Sequence, residues 1–213
     1  MSDYECFDDL YVRDDGYLAK EDDTIVCYTD GAASGNHTTD GVRFSGSGVF
    51  WGRGARSDSI HYPKFGEEHN DLNTNQYAEA RAALYAARHA QRRGFDVIEL
   101  RTDSRFVIKS MTNYIWSWLE QDSSDGIWRT QRGTPVKHQD IWQEIHEIRD
   151  DVRINFKYVR AHVGEDGNKE ADRLAVKATA HAQSLYERKC NDYSSGNYSG
   201  SSESSCGDYY YYY

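Results

Sequence analysis

Cysteine is scarce in this chain: Cys6, Cys27, Cys190 and Cys206 are the only four in 213 residues, and no two stand in a CxxC spacing. That argues against a zinc-binding or dithiol motif and leaves Cys27, inside the β-rich run from Thr24 to Thr29, as an ordinary small buried thiol. Long apolar runs are missing too. Nothing approaches the roughly 18 apolar residues that would span a bilayer, so no membrane association is expected. Residues 1–15 are acidic and broken by polar side chains, unlike a secretory or Arg-rich transit peptide. The expectation is an intracellular protein of the nucleus or cytoplasm, in which the Asn-X-Ser/Thr sites at Asn36 and Asn197 carry no meaning. Positive charge is also in deficit, with 25 Lys and Arg against 35 Asp and Glu and a net charge of −10. Because phosphate binding is driven by Lys and Arg, this balance speaks against a nucleic-acid partner. Its distribution weakens the objection. The acids crowd the amino-terminal arm, whereas Arg81, Arg88, Arg92, Arg93, Arg101, Arg105, Lys109, Arg129, Arg132 and Lys137 occupy the middle, and local field guides a strand.

The length suits one domain with appended segments. Residues 1–22 read as an acidic arm without sustained periodicity. Residues 184–213, rich in Ser, Gly and Tyr and ending Tyr209 to Tyr213, lack the aliphatic surface for a core and read as a disordered tail. Between them lies a domain over 23–183. Thr24–Thr29, Gly46–Gly52 and Ser57–Tyr62 predict a three-stranded meander. Helical spacing follows from Thr74, with Ala80, Ala83, Leu84, Ala87 and Ala90 on one stripe, Arg81, Tyr85, Arg88 and Arg92 opposite, and Gly94 as stop. Val97–Thr102 is a fourth strand. Ser104 caps a helix through Val107, Met111 and Ile115. Ile141, Ile145 and Ile148 mark a further helix, Val152 to Tyr158 a fifth strand, and Ala171, Leu174, Ala175 and Ala178 a last helix. The order βββαβαβα, with an extra helix near 113–132, predicts an α/β fold: a five-stranded mixed sheet, three strands antiparallel and the later ones parallel, with helices on both faces.

Four acids stand at chemically suggestive places: Asp30 at the end of the first strand, Asp103 at the end of the fourth, Glu79 early in the first long helix and Asp172 early in the last. Residues at strand carboxyl ends of an open α/β sheet gather in one crevice. Like charges that close repel unless cations compensate them. Oxygen ligands without Cys or clustered His select magnesium or manganese, and two such ions can flank a phosphate during hydrolysis. Taken singly, each acid could equally be a helix cap or turn residue.

Together, Y-T-D-G at 28–31, T-N-Q-x-A-E at 74–79, T-D-S at 102–104 and A-H-x-G…N-x-E-A-D-x-L-A from 161 to 175 resemble the cellular type-1 ribonuclease H family, over roughly residues 23–180. The resemblance implies the ribonuclease H-like fold, endonucleolytic hydrolysis of the RNA strand of RNA·DNA hybrids to 5′-phosphate and 3′-hydroxyl ends, and two Mg²⁺ ions (Mn²⁺ as substitute). By resemblance Asp30, Glu79, Asp103 and Asp172 are the metal ligands and catalytic residues, with Asp30 shared between both ions, and His162 is the mobile proton carrier. Asn36, Asn75 and Gln76 would contact the RNA strand, where the 2′-OH distinguishes it from DNA. Thr74, Phe106, Tyr114, Trp118 and His138 would hold the DNA strand. Tyr114 and His138 depart from the Trp and Asn of many relatives. The segment 116–132 resembles the family's basic handle but carries Glu120, Asp122 and Asp125, which predicts a weakened grip.

The partner is then an RNA·DNA hybrid, met by a monomer with no membrane attachment. Two readings compete with it: a catalytically weak, hybrid-binding relative, which a missing acid would favour, and another nuclease or integrase of the same fold, which would not carry the T-N-Q-x-A-E and A-H-x-G strings together. A structural role for the Tyr-rich tail stays open.

Overall fold

A computed structural model describes residues 9–34, 41–55, 57–61, 69–121, 124–161 and 165–194. Ahead of the first expected strand, β1 (Tyr11–Val12) and β2 (Leu18–Ala19) form a small antiparallel hairpin. The β-rich run after Thr24 becomes β3 (Ile25–Ser34), paired antiparallel with β4 (Phe44–Phe50), which pairs in turn with β5 (Asp58–His61). Helix α1 (Asn75–Arg93) then returns the chain so that β6 (Val97–Thr102) lies parallel to β3, and β7 (Arg153–Tyr158) parallel to β6. The sheet is mixed, as expected, but has seven strands among the described residues rather than five. The two extra strands are the hairpin, which pairs through Leu18 and Ala19 with Val26 and Ile25 of β3. Strands of two residues leave no alternation to read, and this segment appeared as an arm.

β3 is the central strand, with β6 on one edge and both β2 and β4 on the other. Its alternation divides the core. Ile25 and Cys27 face the larger layer with Ile98 and Leu100 of β6, the alanines of α1 and Ile141, Trp142 and Ile145 of α4 (Gln139–Ile148). Val26 and Tyr28 face the other layer with Ala171 and Leu174 of α5 (Asp166–Ser194). Helices thus cover both faces.

Thr74 caps α1 by accepting the Tyr77 N–H at 3.2 Å, and Gly94 closes it at φ 69°, a left-handed C-cap that only glycine adopts freely. The alanine stripe is buried as expected, but so is Tyr85, placed on the opposite side by helical spacing. The reason is α4, which packs on the outer side of α1, where Arg88 forms a forked ion pair with Glu144. Ser104 caps α2 (Arg105–Lys109), which passes through a π-helical turn (Ser110–Tyr114) into α3 (Ile115–Leu119), the extra helix expected near 113. At the carboxyl end, α5 runs to Ser194, past the boundary expected at 184. Ala182 is buried with Val42 and Phe44, and Tyr186 packs on Phe44 with ring centroids 5.5 Å apart, an anchoring contact inside a sequence of tail-like composition. Residues 195–213 lie outside the described residues. No helix of the described residues is long and apolar enough to cross a membrane.

Candidate active site

Strand pairing brings the first two acids together. β3 and β6 are parallel neighbours with Tyr28 opposite Arg101, so Asp30 and Asp103, each two residues further on, lie on adjacent strands at the same level. Asp30 does not end its strand as expected. It sits within β3, opposite Gly48 of β4, because the antiparallel ladder continues to Ser34 opposite Phe44. Glu79 reaches the site from the first turns of α1 because α1 passes unusually close to β3. A Cβ at Gly31 would overlap the backbone nitrogen of Glu79 and the carbonyl carbon of Ala78, so only glycine permits this approach. Asp172 arrives from α5.

Electrostatically the four acids act on one another. Asp30 is pushed up to about 7, first by burial, then by the Asp103 charge, with smaller contributions from Asp172 and Glu79, against a single lowering hydrogen bond from the Gly31 N–H at 2.7 Å. Glu79 is raised mainly by burial, with Asp103 adding repulsion and the Ser104 hydroxyl, donating at 2.5 Å, opposing it. No Lys or Arg among the described residues forms an ion pair with any of the four acids. The acids are not closed into a cage: among the described residues no three His, Cys, Asp or Glu side chains are arranged to hold an ion. Uncompensated carboxylates hold apart for the same reason that a cation would draw them in. The donor set, four carboxylates with no sulfur and no described imidazole among them, fits a hard divalent ion such as Mg²⁺ or Mn²⁺.

Two further residues belong to the site. Asn168, 4% exposed, donates from Nδ2 to Asp103 Oδ2 at 3.4 Å, and its carboxamide oxygen is buried without a hydrogen-bond partner. Such an orphaned acceptor suits the hydration shell of a cation. Ser104 was read only as a cap, which it is, accepting the Val107 N–H at 3.3 Å, yet its hydroxyl also orients Glu79. The signal for Asn168 was present: it precedes Asp172 by one helical turn, on the same face.

The substrate-contact residues fall into three groups. Thr74, Asn75 and Gln76 occupy the start of α1, the last two exposed, one turn before Glu79. His138, in a left-handed conformation at φ 59°, lies 4.9 Å from the Tyr77 ring and 6.4 Å from Phe106, and burial lowers its pKa. Phe106 meets Trp142 edge-on at 5.4 Å. On the helical segment after α2, Tyr114 is exposed, while Trp118 is buried, stacked on Trp128 with centroids 5.9 Å apart. Trp118 therefore presents its ring to the core of the handle rather than to a channel. In the handle Arg129 is paired with Asp125 at 2.6 Å, so its charge is partly cancelled. Asn36, His162 and Asp122 lie outside the described residues.

An α/β sheet with an acidic crevice beyond the ends of parallel neighbouring strands defines a ligand-binding architecture of open α/β enzymes. The family model described as RNase H matches residues 22–180. The chain is 35% identical to the ribonuclease H of Polynucleobacter asymbioticus over 153 residues, 72% of this chain and 88% of that protein. To ribonuclease H1 of Homo sapiens it is 34% identical over 155 residues, 72% of this chain and 49% of that protein. It thus spans about half the length of its mammalian relatives. Among solved structures, LC9-RNase H1, a type 1 RNase H with the type 2 active-site motif, superposes with a TM-score of 0.56 at 23% identity, covering 74% of this chain and 72% of that one, a likeness of fold. The chain belongs to the ribonuclease H family of nucleases.

Proposed function

We propose that the chain is an endonuclease that hydrolyses the RNA strand of RNA·DNA hybrids, leaving 5′-phosphate and 3′-hydroxyl ends, with two divalent ions as cofactors. The observation that carries this reading is the acidic cluster: four carboxylates from β3, α1, the end of β6 and α5, where burial first and the charges of the other three after it push Asp30 up to about 7. The names of the relatives, ribonucleases H, support the same substrate class. Asp30, Glu79, Asp103 and Asp172 would hold Mg²⁺ or Mn²⁺, with Asp30 facing the charges of the other three. Such ions supply Lewis acidity at phosphorus and a water of lowered pKa.

The protein's own residues do the rest. Ser104 and Asn168 fix the Glu79 and Asp103 carboxylates in orientation. Asn75 and Gln76, exposed one turn before Glu79, would donate to a 2′-OH, the group that marks the strand to be cut, and Asn36 would join them. Thr74 and His138 lie beside Tyr77 at the start of α1, Phe106 lies beside His138, and the three would receive the DNA backbone, with Tyr114 offering an exposed ring further along. Trp118, buried against Trp128, would support the handle from within. His162 is proposed to carry the proton to or from the reacting oxygens. The protein would act as a monomer inside the cell.

Incubation of the protein with labelled RNA·DNA, RNA·RNA and DNA·DNA duplexes in Mg²⁺ tests the proposal. Internal cuts confined to the RNA of the hybrid, with ends that ligase accepts only as 5′-phosphates, are the expected result. Equal cutting of all three duplexes, or none, overturns it.

A further inference from the structure

Arg101 stands two residues before Asp103 in β6, and the chemistry above does not use it. It is 2% exposed, an arginine in the interior of a sheet. Its guanidinium spends its donors on four different segments: Nη2 on Asp9 at 2.6 Å, Nε on Glu99 at 2.8 Å, and Nη1 on the Tyr28 hydroxyl at 3.0 Å and on Glu165 at 3.4 Å. Lys20 pairs with Glu99, and Lys157 lies 3.7 Å from Asp9 and 3.8 Å from Glu99. Three cations face three carboxylates, a neutral network. A buried ionic cluster is weak as a source of stability, since apolar residues of the same volume often do as well. Its reach is more informative than its strength.

Glu165 directly precedes α5, and its carbonyl accepts the first helical N–H groups, from Asn168 at 3.1 Å and Lys169 at 3.3 Å. Gly167 follows it so close to the Tyr28 ring that a Cβ there would overlap the ring carbons. Arg101 therefore holds the first turn of α5 from two sides, through the Glu165 side chain and through Tyr28. That turn carries Asn168, the donor to Asp103, and Asp172 lies one turn further on the same helix. Asp9 is the outermost member, 49% exposed. Without it, a buried N–H of Arg101 would lack an acceptor, and Glu165 is the partner the same guanidinium holds most loosely.

We propose that Arg101 is a positioning residue for the acidic site and that Asp9, in the segment ahead of β1, sets its placement, so that the amino-terminal arm tunes divalent-ion affinity from the same chain. The inference rests on the reading of the four acids as metal ligands. Calorimetric titration of Mg²⁺ into the full-length protein without substrate tests it, on wild type, Asp9→Asn, Asp9→Glu, Arg101→Lys and a core control, Ile145→Val. Partners that touch a ligand directly are worth 10- to 100-fold in metal affinity, and Asp9 acts several contacts further out, through Arg101 and Glu165 on the turn that carries Asn168. Asp9→Asn should weaken Mg²⁺ binding by about 3- to 10-fold, Asp9→Glu should recover most of it, and Arg101→Lys should lose at least as much if it folds. Hybrid affinity measured in saturating Ca²⁺ should not change in Asp9→Asn. Ile145→Val, although less stable, should bind Mg²⁺ like wild type. Equal affinity in wild type and Asp9→Asn, or the same loss in Ile145→Val, overturns the positioning role. If wild type binds no Mg²⁺ that Asp30→Asn abolishes, the reading of the acids fails, and this inference with it.

Discussion

Replacing Asp30 by Asn should make the metal-free protein more stable at neutral pH, and the size of the gain follows from the site. Burial and three neighbouring acids move the Asp30 carboxyl from its ordinary 3.8 to about 7, a displacement corresponding to roughly 4 kcal/mol as an upper bound. The sign is set by proton binding. Between pH 4 and 7 the unfolded chain releases this proton while the folded protein keeps it, so stability falls as pH rises through that window and is fully present only below it. Asn carries no such charge. In EDTA, Asp30→Asn should therefore match wild type near pH 4 and exceed it by about 2–4 kcal/mol at pH 7.5, several degrees or more in Tm for a domain of this size. Mg²⁺ at a hundred times its dissociation constant should restore about 2.7 kcal/mol to wild type and little to the variant. Thermal unfolding followed by circular dichroism across pH 4–8, with and without Mg²⁺, measures all of this. Superimposable pH profiles for the two proteins, or equal stabilisation of both by Mg²⁺, would refute the argument that uncompensated charge resides at Asp30.

Asp103→Asn should abolish turnover while hybrid binding in Ca²⁺ persists, and wild-type rates in that variant would remove Asp103 from the site. Ser104→Ala deletes both a helix cap and the hydroxyl on Glu79, so it should cost about 0.5–2 kcal/mol of stability and weaken Mg²⁺ binding by about 10- to 100-fold; calorimetry and melting separate the two. Asp125→Asn should release Arg129 and steepen the salt dependence of hybrid affinity by about one unit, and an unchanged slope would show that the handle does not touch substrate. Truncation at residue 184 removes the Tyr186 contact with Phe44 and should lower stability by about 0.5–1.5 kcal/mol, read as a drop in Tm.

What could be read from the sequence depended on the length of the pattern. Ala80, Ala83, Ala87 and Ala90 repeat over a 19-residue helix, and Ala171, Leu174, Ala175 and Ala178 over one of 29 residues, so both inward faces were legible. Tyr85 was misplaced because a helix with a sheet on one side and α4 on the other has no solvent side along much of its length. The β1–β2 hairpin escaped notice because its order comes from pairing with β3 and from Leu18 and Ala19, two residues in an acidic stretch. The four acids were visible because each sits in its own short string, whereas Arg101 read only as one of the basic residues of the middle and Glu99 carried no signal. Only the docking of Asp9 and Glu165 from distant segments reveals that this face of β6 is covered.

β7 lies at the rim of the sheet, bonded along one edge to β6 and with no strand paired on its other edge among the described residues. A row of open backbone donors and acceptors of this kind is a template for another chain. Arg153 and Lys157 project from it, both exposed, and Tyr158 at its end lies beneath the Arg105 guanidinium, 5.1 Å from the ring centroid. A second molecule pairing antiparallel along this edge would set those cations against their own copies. In an acidic protein, whose net charge already keeps molecules apart, the exposed Arg153 guards this edge, while Lys157 is engaged with Asp9 and Glu99, so neutralising Arg153 would lower solubility even though it brings no apolar group to the surface.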